Sequence, residues 1–274
     1  MKHFVLPHPP NPDGMIRLYE KDFHYLVRVR RLKAGMYFDA VLPGGMETKI
    51  RILSTKDNIL IGECLEKKCG GTPEQGMQNR ETKKNPLPPI VLFQGLPRGA
   101  KMDLIVRQAA EGGVSIIVPF ESEFSSLRIG RLNNGEKMNR WERIVKEARQ
   151  QSGSVIETEI KAPCSFDALL QYWESLKGQY ERPLGIVFHQ ESLEKGTFHG
   201  YLGNNPGLIA LAVGPEGGFS SGEIAKLLSL EFKPLLLGNT VLRTETAALY
   251  GTAALRIILL ESEAWIPRST DSFS

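Results

Sequence analysis

Two loops near the carboxyl end of the chain hold the residues best suited to chemistry. The first, Gly214-Pro215-Glu216-Gly217-Gly218, sets a carboxylate among three glycines. Glycine tolerates positive φ and lets a ligand approach bare backbone. The second, Gly238-Asn239-Thr240-Val241-Leu242-Arg243-Thr244-Glu245-Thr246, mixes apolar residues with a guanidinium and a carboxylate. A guanidinium is permanently charged and presents a planar fork to phosphate or carbonyl oxygens. Glu245 is either a proton acceptor or a carboxylate that orders the start of a helix. Taken singly, a glycine turn between strand and helix is ordinary in α/β proteins; two of them together point to a site. Neither loop carries G-x-x-x-x-G-K-[ST] or G-x-G-x-x-G, which argues against a phosphate-loop hydrolase or kinase and against a dinucleotide fold.

The surrounding elements explain how the loops could meet. Apolar runs at Leu208–Val213 and Pro234–Leu237 each stop at one of the loops. Ser220-x-x-Glu223 has the form of a capping box and opens a helix over Ile224, Leu227 and Leu228. Thr244 or Thr246 is placed to cap a helix carrying small residues at Ala247, Ala248, Gly251, Thr252, Ala253 and Ala254. Strand, loop and helix are thus written twice, and in open α/β sheets ligands bind outside the carboxyl ends of the strands. Upstream, strands at Ile90–Gln94, Val114–Pro119, Ile156–Ile160 and Leu184–His189 alternate with helices at Lys101–Glu111, Glu136–Gln151 and Phe166–Leu176. A loop follows over Gln190–Pro206. This alternation predicts an α/β fold whose sheet is mainly parallel and covered on both faces.

The first 70 residues differ in kind. Short β-favouring runs at Tyr37–Leu42, Thr48–Leu53 and Asn58–Glu63 are separated by turn signals, which predicts a small β domain over 1–70. A helical patch over Glu20–Val29 leads into Arg28, Arg30, Arg31 and Lys33, the densest cationic cluster in the chain. These cations suit phosphates or a solvated helix end. Residues 1–70 carry 12 Lys/Arg against 8 Asp/Glu, although the whole chain is only +3. A basic amino-terminal part hints at a polyanionic partner. Residues 71–89 are polar and aperiodic and read as a linker to a second domain over 90–264. The three cysteines show no metal-binding spacing, and their odd number suits a reducing compartment. No signal peptide or membrane-crossing run is present, so a cytoplasmic protein without a membrane partner or a metal is expected.

The chain resembles the bacterial 16S ribosomal RNA uridine-N3 methyltransferases of the SPOUT superfamily. The likeness covers nearly its whole length. It rests most firmly on Gly214-Pro215-Glu216-Gly217-Gly218-Phe219 and on Leu237-Gly238-Asn239 running into Val241-Leu242-Arg243-Thr244-Glu245-Thr246-Ala247. Weaker matches are Arg17-Leu18, the segment from His24 to Gly35, the segment from Leu96 to Asp103, Arg140-Trp141 and the segment from Glu147 to Ser152.

The resemblance implies a PUA-like β-barrel at the amino end and a C-terminal α/β domain threaded into a trefoil knot. It implies S-adenosylmethionine as cofactor, cradled by His189, Val213, Gly214, Pro215, Glu216, Gly217, Gly218, Leu237, Gly238, Val241, Leu242 and Thr244. The partner would be 16S ribosomal RNA or the small ribosomal subunit, met by Arg17, Arg28, Arg30, Arg31, Arg98 and Arg128. The protein would be a homodimer, with the small-residue face from Ala247 to Ala254 permitting close helix packing. Arg243 would steady the uridine anion or grip a phosphate, and Glu245 is the candidate base. The alternative is an inactive RNA-binding module of the same fold. Three positions depart from the family: Gly112 replaces a leucine, and Phe124 and Ser154 each replace an arginine expected to face RNA. Arg128, Arg131 and Arg149 are candidates to stand in for them.

Overall fold

Along Glu47–Ser54, exposed residues alternate with the buried Thr48, Ile50 and Ile52, the pattern of a strand with one wet face. In the computed structural model this is the fourth strand of a five-stranded sheet. The strands are β1 (Phe4–Val5), β2 (Met15–Leu18), β3 (Tyr37–Val41), β4 (Glu47–Ser54) and β5 (Leu60–Cys64), in the order β1-β3-β4-β5-β2. β1 pairs with β3 in parallel and the other pairings are antiparallel. β1 and β2 leave no trace in the sequence pattern, because two and four residues are too few for alternation to show. Phe4, Leu18, Leu26, Phe38, Ile50 and Leu60 are among the side chains of its core. The expected helix over Glu20–Val29 is present but changes its ladder midway. One α-helical turn, α1 (Glu20–Phe23), passes into π-helical His24–Val29, with Arg30 N–H donating to the Tyr25 carbonyl at 2.9 Å. Arg31 then takes φ +55, which ends the run.

The structure describes residues 4–43, 46–65, 87–132, 134–189, 197–203 and 205–264. They divide into two units, 1–84 with 149–157 and 85–148 with 158–274. Residues 71–86 of the expected linker lie outside the described residues. Leu87, assigned to that linker, is already buried in the core of the second unit.

The second unit runs β6 (Ile90–Gly95), α2 (Lys101–Glu111), β7 (Ile116–Glu121), a 3-10 turn (Ile129–Arg131), α3 (Asn134–Ser152, whose last four residues are counted with the first unit), β8 (Glu159–Ile160), β9 (Cys164–Ser165) and α4 (Phe166–Lys177). It continues with β10 (Pro183–Phe188), α5 (Phe198–Leu202), β11 (Leu208–Val213), α6 (Ser221–Ser229), β12 (Lys233–Leu235) and α7 (Thr244–Ala264). The sheet order is β12-β10-β11-β6-β7-β8, with β9 also on β7, and every pairing is parallel. β6 and β11 are buried along their whole length because helices cover both faces. One core packs α2, α3 and α7 on the sheet; the other packs α4 and α6. The fold class read from the sequence, α/β with a mainly parallel sheet, is the one observed.

Several boundaries differ from the sequence reading for identifiable reasons. β7 starts at Ile116 rather than Val114 because α2 ends in a Schellman motif. Val114 N–H donates to the Ala109 carbonyl and Gly113 N–H to that of Ala110, with Gly113 at φ +75. Gly112 is therefore the C-cap and carries no mid-helix penalty. β12 stops at Leu235, leaving Leu236–Arg243 irregular. The expected loop Gln190–Pro206 contains α5, while residues 190–196 and 204 lie outside the described residues. Among the described residues, no helix is long and apolar enough to cross a membrane.

Candidate functional site

From β6 the chain winds outward through β7 and β8 on one side of the sheet, and it later builds β10, β11 and β12 on the other. The strand order therefore switches direction between β6 and β11, whose carboxyl ends lie side by side, Val213 opposite Gln94. Such a switch point is where open α/β sheets bind ligands. The glycine loop presses directly on β6: a Cβ on Gly95 would fall 2.6 Å from Pro215 Cδ. Gln94 is wholly buried there, and its Nε2 donates to the Gly95 carbonyl and to Thr244 Oγ1, both at 2.9 Å. Thr244 Oγ1 in turn donates to the Gly214 carbonyl at 2.6 Å. One amide and one hydroxyl thus tie the end of β6 to both loops. Thr244 does not cap α7 as expected. It is already the first helical residue, and Arg243 precedes it with its carbonyl accepting from Ala247 N–H at 2.8 Å. Sequence reasoning missed Gln94, although a lone amide ending an otherwise apolar strand is a signal.

A second tie is ionic. Glu216 accepts from the Arg98 backbone N–H at 3.1 and 3.3 Å and from Lys101 Nζ at 2.8 Å. Lys101 Nζ also lies 3.4 Å from Glu245 Oε2, so one ammonium joins a carboxylate from each loop. Sequence reasoning missed Lys101 as well. A cation opening a helix opposes the dipole, and that mismatch is the available signal. The hydrogen bond to Glu216 raises the Lys101 pKa. Burial pushes the Glu216 carboxyl up, but hydrogen bonds from Lys101 and from backbone N–H groups outweigh it and hold the group below its ordinary value near 4.5. A carboxyl with a lowered folded pKa stabilises the protein above that ordinary value and stops doing so as pH falls through the lowered one. Lys101→Met should therefore lower the melting temperature near pH 6, and the two melting curves should converge on acidification. Equal melting temperatures at pH 6 would show that the pair contributes nothing.

The remaining site residues fall into place around these ties. Gly214 and Gly218 face each other so closely that a Cβ on Gly214 would sit 2.9 Å from Gly218 backbone, and Gly218 has φ +71. A Cβ on Gly217 would lie 2.8 Å from Phe124 Cβ, so that glycine is required by the chain's own packing. Val213 and Pro215 are buried. In the second loop Gly238 has φ +143 with open space where a side chain would go. Leu237 and Leu242 are half-buried, while Val241 is 73% exposed. No backbone group of Leu236–Leu242 makes a backbone hydrogen bond among the described residues, although such groups normally find partners. Arg243 is exposed, and its guanidinium makes no hydrogen bond or ion pair among the described residues. The Glu245 side chain is 14% exposed. His189 follows β10, with its N–H donating to the Leu235 carbonyl at 3.2 Å.

The expected RNA-facing arginines divide between the units. Arg98 and Arg128 belong to the second unit, where Arg98 Nε donates to Ser126 Oγ at 2.6 Å and Arg128 pairs with Glu121 at 2.9 Å. Arg17, Arg28 and Arg31 are exposed in the first unit, and Arg30 is half-buried there. Arg149 is buried, and burial pushes its pKa down. It is therefore no substitute for a lost surface arginine.

A family model for the RNA methyltransferase domain matches residues 83–256. A ribosomal RNA small subunit methyltransferase E from Synechocystis is 30% identical over 250 residues, 90% of this chain and 74% of the relative. The one from Buchnera aphidicola (subspecies Schizaphis graminum) is 30% identical over 88% of this chain and 95% of the relative. The chain belongs to this RNA methyltransferase family. Its fold is shared by a putative methyltransferase from Legionella pneumophila solved with bound S-adenosylmethionine, with TM-score 0.69, 26% identity and coverage of 93% of this chain and 97% of that one. A ribosomal RNA small subunit methyltransferase E from Neisseria gonorrhoeae, also bound to S-adenosylmethionine, superposes with TM-score 0.70 at 23% identity, covering 94% and 98%.

Within this methyltransferase domain, the small residues of α7 divide between its faces. Ala253 is exposed, and Ala247 and Ala254 are half-buried. Ala248, Gly251 and Thr252 are buried in the chain itself, where a Cβ on Gly251 would collide with the Phe188 ring and Thr252 packs by Gly112. The outward face carries Leu249, Tyr250, Ile257 and Leu260 together with Ala253.

Proposed function

We propose that the protein transfers the methyl group of S-adenosylmethionine to N3 of a uridine in 16S ribosomal RNA, in the small ribosomal subunit. The observation that carries this reading is the pair of loops fastened together at the switch point, with an exposed Arg243, unpaired among the described residues, at the end of the second. The residues fit the cofactor. The backbone of Leu237 to Leu242, which makes no backbone hydrogen bond among the described residues, would offer N–H and C=O groups to a purine edge, and the apolar side chains would offer cover for its faces. Gly214, Glu216, Gly217 and Gly218 give the remaining close-approach backbone, Val213 and Pro215 contribute main chain, and His189 completes the rim. Thr244 holds the two loops at their spacing. S-adenosylmethionine supplies a methyl group on a positively charged sulfur.

The protein's task is then positioning and charge. N3 of uracil becomes nucleophilic only as it gives up its proton, and the growing negative charge spreads to the flanking oxygens. Arg243 would present its fork to one of them, a fixed donor aimed where charge develops. Glu245 is the candidate acceptor for the N3 proton. Its carboxylate lies 3.4 Å from Lys101 Nζ.

We take residues 1–70 to be the PUA-like barrel, 71–89 the linker and 90–264 the SPOUT domain with its trefoil knot. Arg17, Arg28, Arg30 and Arg31 in the first unit, and Arg98 and Arg128 in the second, would meet RNA phosphates. The outward stripe Leu249, Tyr250, Ile257 and Leu260 supports a homodimer, since contiguous apolar surface marks an interface. The protein would act in the cytoplasm.

Nucleoside mass spectrometry of ribosomal RNA from cells with and without the protein tests the reaction and the substrate together. Restoration of one N3-methyluridine on re-expression is the expected result. No labelled methyl transferred from S-adenosylmethionine to 16S RNA would favour the inactive RNA-binding module instead. The arginine cluster has its own test. Arg28, Arg30 and Arg31 changed together to alanine should weaken RNA binding and flatten the logarithmic salt dependence by roughly 0.7–0.9 for each phosphate left without a cation. Cofactor affinity should hold. An unaltered salt slope would remove the cluster from the RNA interface.

A further inference from the structure

The segment following β7 is anchored at several points. Ser122 Oγ and Glu123 N–H donate to the two carboxylate oxygens of Glu223, each at 2.9 Å. Glu223 is only 6% exposed and is itself locked in the capping box of α6. Ser122 and Ser125 bond to each other, backbone to side chain and backbone to backbone, both at 3.0 Å. The Ile129 N–H donates to Glu121 Oε2 at 2.7 Å. From this fixed loop Phe124 projects with 48% of its surface exposed, its Cβ over Gly217 of the glycine loop. Two guanidiniums are fastened to the same loop. Arg98 donates to Ser126 Oγ at 2.6 Å, and Arg128 donates to the Glu123 carbonyl at 3.2 Å while pairing with Glu121. A guanidinium has five N–H donors, so each retains some for a further acceptor.

We propose that Phe124, flanked by Arg98 and Arg128, is a stacking platform for an unpaired nucleobase of the substrate RNA. The proposal rests on the reading of the glycine loop as the methyl-transfer site. Every nucleobase has a π face that stacks on an aromatic ring, and cations beside the ring hold the backbone phosphates. In a duplex those faces are already stacked, so the platform selects single-stranded RNA. A ring carried on a loop that is already ordered loses little freedom on binding. Its place over Gly217 would set the neighbouring base at the cofactor.

The test uses the full chain with Phe124→Ala, Phe124→Leu and Phe124→Trp. The probes are a labelled short unpaired oligoribonucleotide containing uridine and the same oligonucleotide annealed to its complement. Phe124→Ala and Phe124→Leu should weaken binding of the unpaired probe about tenfold or more, while calorimetric affinity for S-adenosylmethionine stays within about twofold, since the ring's role is to hold RNA. Phe124→Trp should restore binding, and its added indole fluorescence, read against the wild-type protein's own tryptophans, should be quenched as the unpaired probe saturates. The duplex should bind more weakly and be indifferent to all three changes. Unchanged RNA affinity in Phe124→Ala would overturn the proposal. So would loss of cofactor affinity with RNA affinity intact, which would make Phe124 a cover for the cofactor. Methyl transfer by the wild-type protein separates the two readings. Transfer with no dependence on Phe124 sinks the platform alone, whereas Phe124-dependent RNA binding without any transfer sinks the methyltransferase reading and leaves the platform standing.

Discussion

Arg243→Ala is expected to lower turnover on the RNA substrate by about 10²-fold or more while the dissociation constant for S-adenosylmethionine changes little. The reasoning is geometric. Arg243 is exposed and immediately precedes α7, and its guanidinium is bonded to nothing among the described residues. Removing it therefore breaks no internal bond, and the melting temperature should hold. Arg243→Lys keeps the charge but loses the planar fork. If the fork is what steadies the uracil oxygen, lysine should recover only a small part of the missing rate. If a phosphate merely needs a cation nearby, lysine should recover most of it, and the defect should appear in KM for RNA rather than in kcat. A kcat near that of the wild type for Arg243→Ala would end its assignment to the chemistry.

Thr244→Val should damage the site from below. Valine fills nearly the same volume, so packing at this buried position survives, but the hydroxyl that accepts from Gln94 and donates to Gly214 is gone. Gln94 has no access to water, and a buried donor left unpartnered costs about 1–3 kcal/mol. A melting temperature lower by several degrees is expected, at roughly 2–4 °C per kcal/mol for a chain of this size. Cofactor affinity should fall too, because the hydrogen-bonded tie between the loops is lost and only the Lys101 ion pairs still join them. Thr244→Ser keeps the hydroxyl and should stay close to the wild type in both measurements. If valine binds S-adenosylmethionine as tightly as threonine does, the tether does not set the loop spacing.

The parts of this protein visible in its sequence are those written locally. β6 and β11 are apolar runs ended by glycine loops, and Ser220 with Glu223 spells out a capping box that is present as expected. The interactions that hold the site together are of another kind. Gln94 meets Thr244 across 150 positions, and Lys101 meets Glu216 across 115. A single sequence has no local pattern that pairs such residues. The small residues of α7 are visible in the sequence, but nothing local says that Gly251 and Thr252 are covered by Phe188 and Gly112 while Ala253 faces outward. The run Pro234–Leu237 looks like a strand throughout, yet β12 ends at Leu235, and an apolar run alone does not tell where its partner strand ends. The π-helical stretch His24–Val29 is likewise invisible, since a change of ladder leaves the apolar spacing nearly intact.

The separation between Gln94 and Thr244 also sets a timetable. A nascent chain emerges amino end first at about 5–20 residues per second, so Thr244 follows Gln94 by roughly 8–30 s. For most of that interval, until β11 is made ahead of Thr244, β6, destined for the middle of the sheet, can pair only with β7 on one side. Its other edge waits for β11, and an unpaired apolar edge invites association with other chains. The glycine loop is made before Thr244, so no chain that stops short of that residue has the hydrogen-bonded tie between the two loops. A fragment released before Thr244 would therefore lack the hydrogen-bonded tie between the two loops, and one released before β11 would also leave an apolar strand edge open.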